Sequence, residues 1–181
     1  MKDVLVCFLL IMLSLQVRAE VTSTELFSII NERLSYMKDV ALFKAQNHRP
    51  IEDIDREKIV IDNAKMSALK KGLDPVHVED FYKAQISVAK AIQYRHRADL
   101  LSQSSFQKPK DLQKEVRPAL LRLGDQIVHK MMVYIGIYGS FKSTEFSEFD
   151  AAITVKYVTA SDKQLLFNAL QKIKAMPKKV I

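Results

Sequence analysis

Cysteine is almost absent from this sequence of 181 residues, which contains one, and tryptophan is missing altogether. Only four glycines and five prolines interrupt a chain in which 48% of the residues are hydrophobic and 27% are charged. This composition is typical of a folded, helix-rich protein and excludes a disordered chain or a collagen-like repeat. Because no internal repeat or low-complexity run divides the sequence, we expect one domain with a single core.

The first nineteen residues have the pattern of an export signal. Lys2 provides a short basic region, residues 4–15 are apolar except for Ser14, and Val17 and Ala19 place small side chains at the positions that a signal peptidase reads. The apolar run of about a dozen residues is shorter than the roughly 20 that a membrane-spanning helix needs, which argues against an uncleaved anchor. We therefore predict cleavage before Glu20, a mature domain over 20–181, a periplasmic or secreted location, and no stable membrane association after cleavage.

The common catalytic motifs are also missing. The chain has no HExxH, P-loop, G-x-G-x-x-G or G-x-S-x-G motif. Removal of Cys7 with the leader would leave no disulfide, no thiolate nucleophile and no cysteine-ligated metal. The histidines lack the i, i+4 spacing of a metal site and are dispersed along the chain as His48, His77, His96 and His129. We therefore expect neither a metal nor a cofactor.

Cations exceed anions, with a formal net charge of +7. Such an excess suits nucleic acid, an anionic membrane surface or a small polyanionic ligand. The basic residues are scattered with acidic residues between them, and no dense basic tract with interleaved aromatic residues occurs. The sequence therefore disfavours a nucleic-acid-binding protein.

Apolar spacing and capping residues predict an all-α, single-domain bundle of about five or six helices. A capping box from Thr22 to Glu25 begins the first helix, which Pro50 ends after about Gln46. The next two predicted helices are 56–71, ended by Gly72, and about 75–101, begun by Asp74 as cap and Pro75 in the first turn.

The C-terminal half is predicted to contain a linker and shorter helices. Residues 102–110 form the linker, and Asp111 caps a fourth helix, in which Pro118 either produces a kink or belongs to the first turn. The remaining predictions are a short segment over 144–154, a non-strand connector over 153–158 and a last helix opened by a capping box at 161–164. We expect the helices over about 22–123 to carry the functional residues and those over about 124–176 to complete the bundle.

Two cations interrupt the apolar seam of the first predicted helix. Arg33 and Lys44 are eleven residues apart, or about three turns, so they lie along one line of the helix with apolar residues between them. A buried cation is costly unless it meets an anion, so two of them indicate an anion pocket. The alternative is a slightly rotated helix that carries both residues at its edge in ordinary surface ion pairs. The pair alone does not decide between the two.

Other predicted helices also carry polar side chains on their apolar faces. Arg56, Gln93 and Arg117 would join the two cations in a site suited to a small dicarboxylate, because arginine pairs with carboxylates through two parallel hydrogen bonds. The carboxylates of Asp53 and Glu57 lie where helix capping explains them. Such a site could bind without reacting, or catalyse a reaction that needs only orientation and electrostatics.

The stretch from Arg33 to Glu57 resembles the all-helical chorismate mutases of the AroQ class. The similarity lies in Arg33, Lys44 and the run Arg49-Pro50-Ile51-Glu52-Asp53-Ile54-Asp55-Arg56-Glu57, and continues in Gly72-Leu73-Asp74, Phe81, Gln85-Ile86 and Ala91-Ile92-Gln93. The export signal and the chain length resemble the secreted or periplasmic (gamma) subclass, in which one chain builds the whole active site. The resemblance covers residues 26–123, and the C-terminal third only by its helical character.

This resemblance implies the rearrangement of chorismate to prephenate, a step of aromatic amino acid biosynthesis, without a cofactor. It implies that Arg33 and Arg117 hold the two substrate carboxylates and that Arg56 orients the substrate. Lys44 and Gln93 would be the catalytic donors to the ether oxygen. By the same resemblance, Asp53 and Glu57 hold the substrate hydroxyl or support the arginines.

Two positions depart from relatives of this class, in which residue 89 is often a hydroxyl residue and residue 93 is sometimes Glu. Here they are Ala89 and Gln93, and both are expected to line the substrate site. A catalytically silent exported protein that binds a small anion or a host partner remains the alternative function. The sequence leaves the assembly open, with a homodimer as one candidate.

Overall fold

A computed structural model describes residues 23–102 and 108–177. It contains helices in the segments where capping residues and apolar spacing predict them. The predicted leader with Cys7, and Thr22 of the first capping box, lie outside the described residues. The α-helices are α1 (Ser23–Ser35), α2 (Met37–Gln46), α3 (Ile54–Lys71), α4 (Pro75–Asp99), α5 (Arg117–Tyr138), α6 (Phe146–Ala152) and α7 (Ala160–Gln171). A π-helical turn (Leu112–Val116) precedes α5 and a 3₁₀ turn (Ser143–Glu145) precedes α6. The all-α prediction is confirmed.

The first predicted helix is interrupted at Tyr36, so the prediction of one helix to Gln46 is wrong in its continuity. The Ser35 hydroxyl donates to the Glu32 carbonyl oxygen at 2.7 Å, a local bond that competes with helix hydrogen bonding. Tyr36 keeps right-handed dihedral angles (φ −66°, ψ −13°), and its carbonyl accepts from the Val40 amide at 3.1 Å. If α1 and α2 are counted as one interrupted helix, the described bundle has six α-helices, within the predicted five or six.

Capping by aspartate sets the starts of α3 and α4. Asp53 accepts from the Arg56 amide at 3.2 Å, so α3 begins at Ile54, two residues earlier than predicted. Gly72 ends α3 with φ 79°, a left-handed conformation that glycine adopts without steric cost. Asp74 caps α4 through the Val76 amide at 2.9 Å, as predicted, and α4 ends two residues before the predicted end.

Pro118 belongs to the first turn of α5, which was one of the two predicted alternatives. Asp111 caps the preceding turn by accepting from the amides of Gln113 and Lys114, both at 2.8 Å. Proline has no amide hydrogen and its ring crowds the carbonyl four residues earlier, so a regular α-helix that began at residue 112 and continued through Pro118 is disfavoured. The wider π turn over 112–116 accommodates this, and the regular helix begins at Arg117.

The last helix begins earlier than predicted. Its cap is Thr159, which forms a reciprocal capping box with Asp162, so the predicted box at 161–164 is wrong by two residues. The connector over 153–158 contains no strand, in agreement with the prediction, and turns at Tyr157 with φ 73°.

Helix α4 is the centre of the bundle. It packs against α2, α3 and α7, while α5 packs against α1 and α3. The rings of Phe27, Phe149 and Phe167 form an aromatic cluster that attaches α6 and α7 to α1. None of the described helices is both long and apolar enough to cross a membrane. The two C-terminal helices, α6 and α7, pack against α1 and α4 respectively and complete the core of the bundle.

Candidate active site

A cavity of about 350 Å³ opens between α1, α2, α3, α4 and the start of α5. The eight residues predicted for the site all line it, namely Arg33, Lys44, Asp53, Arg56, Glu57, Ala89, Gln93 and Arg117. They come from five elements of one chain, and no residue after Asp125 is among the lining. The structure thus brings the predicted residues together, while the role of each stays a prediction.

Arg33 is buried in the cavity wall without a carboxylate partner among the described residues. It projects from α1, is 5% exposed, and its guanidinium carbon lies 5.7 Å from the centroid of the Tyr82 ring. Its Nε atom is buried and has no hydrogen-bond acceptor in the described part of the chain. Burial lowers the pKa of Arg33, and the positive charge of Arg56 lowers it further. The surface ion pair considered for Arg33 from sequence is therefore wrong.

Lys44 projects from the last turn of α2 towards the segment that precedes α3. Its ammonium group donates to the Ile51 carbonyl oxygen, which leaves two of its three protons for other acceptors. Burial lowers the pKa of Lys44, and the negative charges of Asp53 and Glu57 oppose that effect. No carboxylate forms a direct ion pair with Lys44 in the described parts of the chain, so its charge is available to a bound anion.

Gln93 presents an amide to the cavity from α4. It is 5% exposed, and its Nε2 donates to the Ala89 carbonyl oxygen at 3.1 Å and lies 3.6 Å from the Met37 sulfur. An amide nitrogen carries two protons, and a thioether is a weak acceptor for the second. The second proton is therefore available to a better acceptor that a ligand places on that side, without loss of the bond to the helix. Gln93 Oε1 is buried and has no partner among residues 23–102 and 108–177.

The start of α3 supplies the carboxylates and a third cation. Asp53 is held by its capping role, and one Glu57 oxygen accepts from Lys90 at 3.2 Å while the other is buried without a described partner. Burial lowers the pKa of Arg56, as does the nearby charge of Arg117. Arg117 donates to Gln113 at 2.9 Å from the first turn of α5. The two arginines therefore raise the positive potential on one side of the cavity.

Some lining residues were not identified from the sequence. Lys90 forms an ion pair with Glu57, which lies 33 positions earlier in the sequence, and no local sequence pattern predicts such a contact. Tyr82 did carry a signal, because it shares a helical stripe with Ile86, Ala89 and Gln93. On that stripe it could not be distinguished from an ordinary core residue.

The cavity has an excess of positive charge. Seven cationic side chains and three carboxylates line it. Three buried polar atoms at its wall, Arg33 Nε, Glu57 Oε1 and Gln93 Oε1, have no hydrogen-bond partner in the described part of the chain. Buried polar groups in native proteins are normally satisfied, so these atoms are the ones that a ligand would satisfy. Fold and site together define an all-helical protein in which residues of one chain line a cationic, partly apolar cavity suited to a small anion.

Several known proteins that are similar to this chain are chorismate mutases. A sequence model described as "Chorismate mutase type II" matches residues 18–94. A monofunctional chorismate mutase from Enterobacter agglomerans is 35% identical over 86% of this chain and 85% of its own length. The secreted chorismate mutase of Yersinia pestis is 38% identical over 81% of this chain and 78% of its own length. This chain belongs to the chorismate mutase family, so the predicted family and the predicted enzyme class, an isomerase, are confirmed.

Solved structures agree with this assignment. The crystal structure of the secreted chorismate mutase from Yersinia pestis superposes with a TM-score of 0.77 at 38% identity, covering 83% of this chain and 97% of that one. A chorismate mutase from Burkholderia thailandensis has a TM-score of 0.66 at 25% identity, covering 81% and 95%. The helical fold of this chain is therefore the fold of these chorismate mutases.

Proposed function

We propose that this chain catalyses the rearrangement of chorismate to prephenate with its own residues and without a cofactor. In this reaction the ether carbon–oxygen bond breaks while a carbon–carbon bond forms within the same molecule, so no proton or group is transferred to the protein. Negative charge develops on the ether oxygen as the bond breaks. The protein's task is therefore to orient a dianion and to place donors at that oxygen.

Arg33 and Arg117 are proposed to hold the two carboxylates of the substrate. Arg33 supports this role best, because it is buried and lacks an acidic partner among the described residues. A substrate carboxylate would compensate its charge with hydrogen bonds of the kind that contribute about 1.5 to 3 kcal/mol each. Arg56 lies beside Arg117 and orients the substrate, and Asp53 and Glu57 are available to the substrate hydroxyl.

Lys44 and Gln93 are proposed as the catalytic donors to the ether oxygen. The observation that carries the proposal is that both line the same cavity as Arg33 and that each retains protons without a strong acceptor. A donor aimed at developing charge in a water-poor site typically contributes a factor of about 10² to 10³ in turnover. Ala89 adds no side-chain donor, and its carbonyl serves to hold the Gln93 amide.

We also propose that the protein acts outside the cytoplasm, as a periplasmic or secreted enzyme released by cleavage before Glu20. The apolar run and small residues at positions 4–19 support this proposal, and so does the family relation to a protein named a secreted chorismate mutase. A homodimer stays a candidate assembly.

The experiment incubates the mature chain, residues 20–181, with chorismate and follows the fall in chorismate absorbance. Lys44→Ala should lower turnover roughly 10²-fold or more, since it removes a donor from the transition state. Lys83→Ala is the matched control, because Lys83 is an exposed α4 residue paired with Glu79 outside the cavity. An absorbance change no faster than the uncatalysed rate at micromolar protein would refute the function and favour the silent anion-binding alternative. A higher KM at unchanged turnover in Lys44→Ala would instead make Lys44 a substrate-holding residue.

A further inference from the structure

Tyr82 is an aromatic residue of the cavity wall that connects three of the helices that build the site. It is 2% exposed, projects from α4 and lies in the cavity wall next to Arg33 of α1. Its hydroxyl donates to the Gly124 carbonyl oxygen of α5 at 2.6 Å. The ring is therefore fixed at its far end by a buried hydrogen bond, while its face is free to contact a cation.

The Arg33 guanidinium lies against this ring. Its central carbon is 5.7 Å from the ring centroid, within the range of a cation–π contact. Such contacts are strongest where water is excluded, and Arg33 is itself buried. Because no carboxylate among the described residues pairs with Arg33, the ring is a contact that can help to hold the guanidinium in one place.

Gly124 permits the close approach that fixes the ring. A Cβ atom at this position would lie 3.3 Å from the Tyr82 hydroxyl oxygen, closer than most real contacts of that kind. Gly124 lies inside α5, where glycine costs about 1 kcal/mol relative to alanine. Its presence in a helix interior is thus explained by the space that the tyrosine hydroxyl requires.

Burial also keeps the Tyr82 hydroxyl protonated, since it raises the pKa of this group to about 12. A phenolate would lose the donor to Gly124. The hydrogen bond therefore persists at every pH at which the enzyme would be assayed.

We infer that Tyr82 is a positioning residue: its ring holds the Arg33 guanidinium in the orientation that receives a substrate carboxylate, and its bond to Gly124 fixes that ring relative to α5, which carries Arg117. This inference rests on the proposed role of Arg33. It predicts that the contribution of Tyr82 to catalysis passes through Arg33 and depends on the aromatic face more than on the hydroxyl.

The test is a double-mutant cycle read as kcat/KM for chorismate in the mature chain. Tyr82→Leu removes the ring and should lower kcat/KM roughly 10- to 30-fold, the factor that a desolvated cation–π contact supports. Tyr82→Phe keeps the ring and should retain kcat/KM within about threefold, a rescue that a purely hydroxyl-dependent role would not allow. In an Arg33→Ala background, Tyr82→Leu should cause no further loss.

Tyr134→Leu is the matched structural control. Tyr134 is also buried, its ring stacks on Phe141 with centroids 4.4 Å apart and its hydroxyl donates to Glu145, but it does not line the cavity. This variant should lose thermal stability while keeping kcat/KM, and its effects should add to those of Arg33→Ala. Comparison with Tyr134→Leu separates loss of positioning from general loosening of the bundle.

A second cycle keeps the test decisive if Tyr82→Leu fails to fold. Gly124→Ala should lower kcat/KM in the natural background because the new methyl group pushes the tyrosine hydroxyl and shifts the attached ring against Arg33, although alanine itself favours the helix. In the Tyr82→Phe background the hydroxyl is absent and Gly124→Ala should have no effect. Equal losses in both backgrounds would contradict the inference.

The outcomes distinguish this inference from the proposed function. If Arg33→Ala lowers kcat/KM strongly but Tyr82→Leu adds its full loss on top, Tyr82 does not act through Arg33 and only the present inference fails. If Arg33→Ala leaves kcat/KM unchanged, both the role of Arg33 in substrate binding and the positioning role of Tyr82 are overturned.

Discussion

Replacing Gln93 by glutamate tests the proposed donor at the breaking bond, because the two side chains have nearly the same shape but only the amide donates at every pH. In the natural protein one proton of Nε2 is held by the Ala89 carbonyl at 3.1 Å, and the other faces the Met37 sulfur at 3.6 Å. A glutamate at this position can donate a hydrogen bond only when it is protonated. As a carboxylate it would also place a negative charge where negative charge develops.

The size of the effect follows from the loss of one donor in a buried site. Removal of a donor to developing charge lowers turnover by about 10² to 10³, and we expect at least this loss once the introduced carboxyl group is ionised. Residue 93 is 5% exposed, so burial should raise the pKa of the new carboxyl group above the ordinary value of about 4.3, with the nearby cations opposing that shift. Turnover of Gln93→Glu should therefore fall by about tenfold per pH unit as pH rises through this titration.

The assay measures initial rates of chorismate loss for both proteins from about pH 4.5 to about pH 9, across the range in which a buried carboxyl group titrates. Gln93→Leu serves as a control, because it lacks a donor and cannot titrate, so its turnover should be low without the fall that an ionising carboxyl group produces. The natural protein should also show no loss of turnover from this titration. Parallel profiles for the natural protein and Gln93→Glu would refute the donor role of Gln93.

Three other predictions concern charge, packing and export. Burial lowers the pKa of Lys44, so the natural enzyme should lose turnover on the alkaline side at a lower pH than an ordinary lysine would lose its proton, and Lys44→Arg should remove this decline because guanidinium stays protonated. If the decline stays in Lys44→Arg, another group causes it. Phe149 is fully buried, with ring centroids 5.1 Å from Phe27 and 5.4 Å from Phe167, so Phe149→Ala should reduce the free energy of unfolding by about 3 to 5 kcal/mol in denaturant titrations while KM is unchanged. A change in KM with full stability would contradict the separation of this cluster from the site. Expression of the full chain in a bacterium should yield an exported protein whose first residue, read by N-terminal sequencing, is Glu20; an intact N-terminus in the cytoplasm would contradict the export signal.

The ends of most helices could be predicted from sequence because they depend on a few neighbouring residues. Asp74 with Pro75, Asp111 and Gly72 act through hydrogen bonds and dihedral angles within one turn, so their effect is visible in the local sequence. The prediction failed where two local signals competed. Thr159, rather than Ser161, caps the last helix because Asp162 completes its capping box.

The residues of the candidate site could also be identified, since cations on apolar stripes and a resemblance over residues 26–123 point to the same side chains. Whether those cations face water or a cavity depends on how the helices pack, and that is a matter of long-range geometry. The sequence spacing of Arg33 was equally compatible with surface ion pairs. Only the assembled bundle buries it against Tyr82, away from any described carboxylate.

The amino-acid sequence by itself determined that this chain is helical, where most of its helices begin and end, and which charged residues are out of place on apolar faces. These are properties of one or two helical turns. The tertiary structure alone decided the pairing of Glu57 with Lys90 and the bond from Tyr82 to Gly124. These two contacts join residues 33 and 42 positions apart, and they form only because α3, α4 and α5 pack around one cavity.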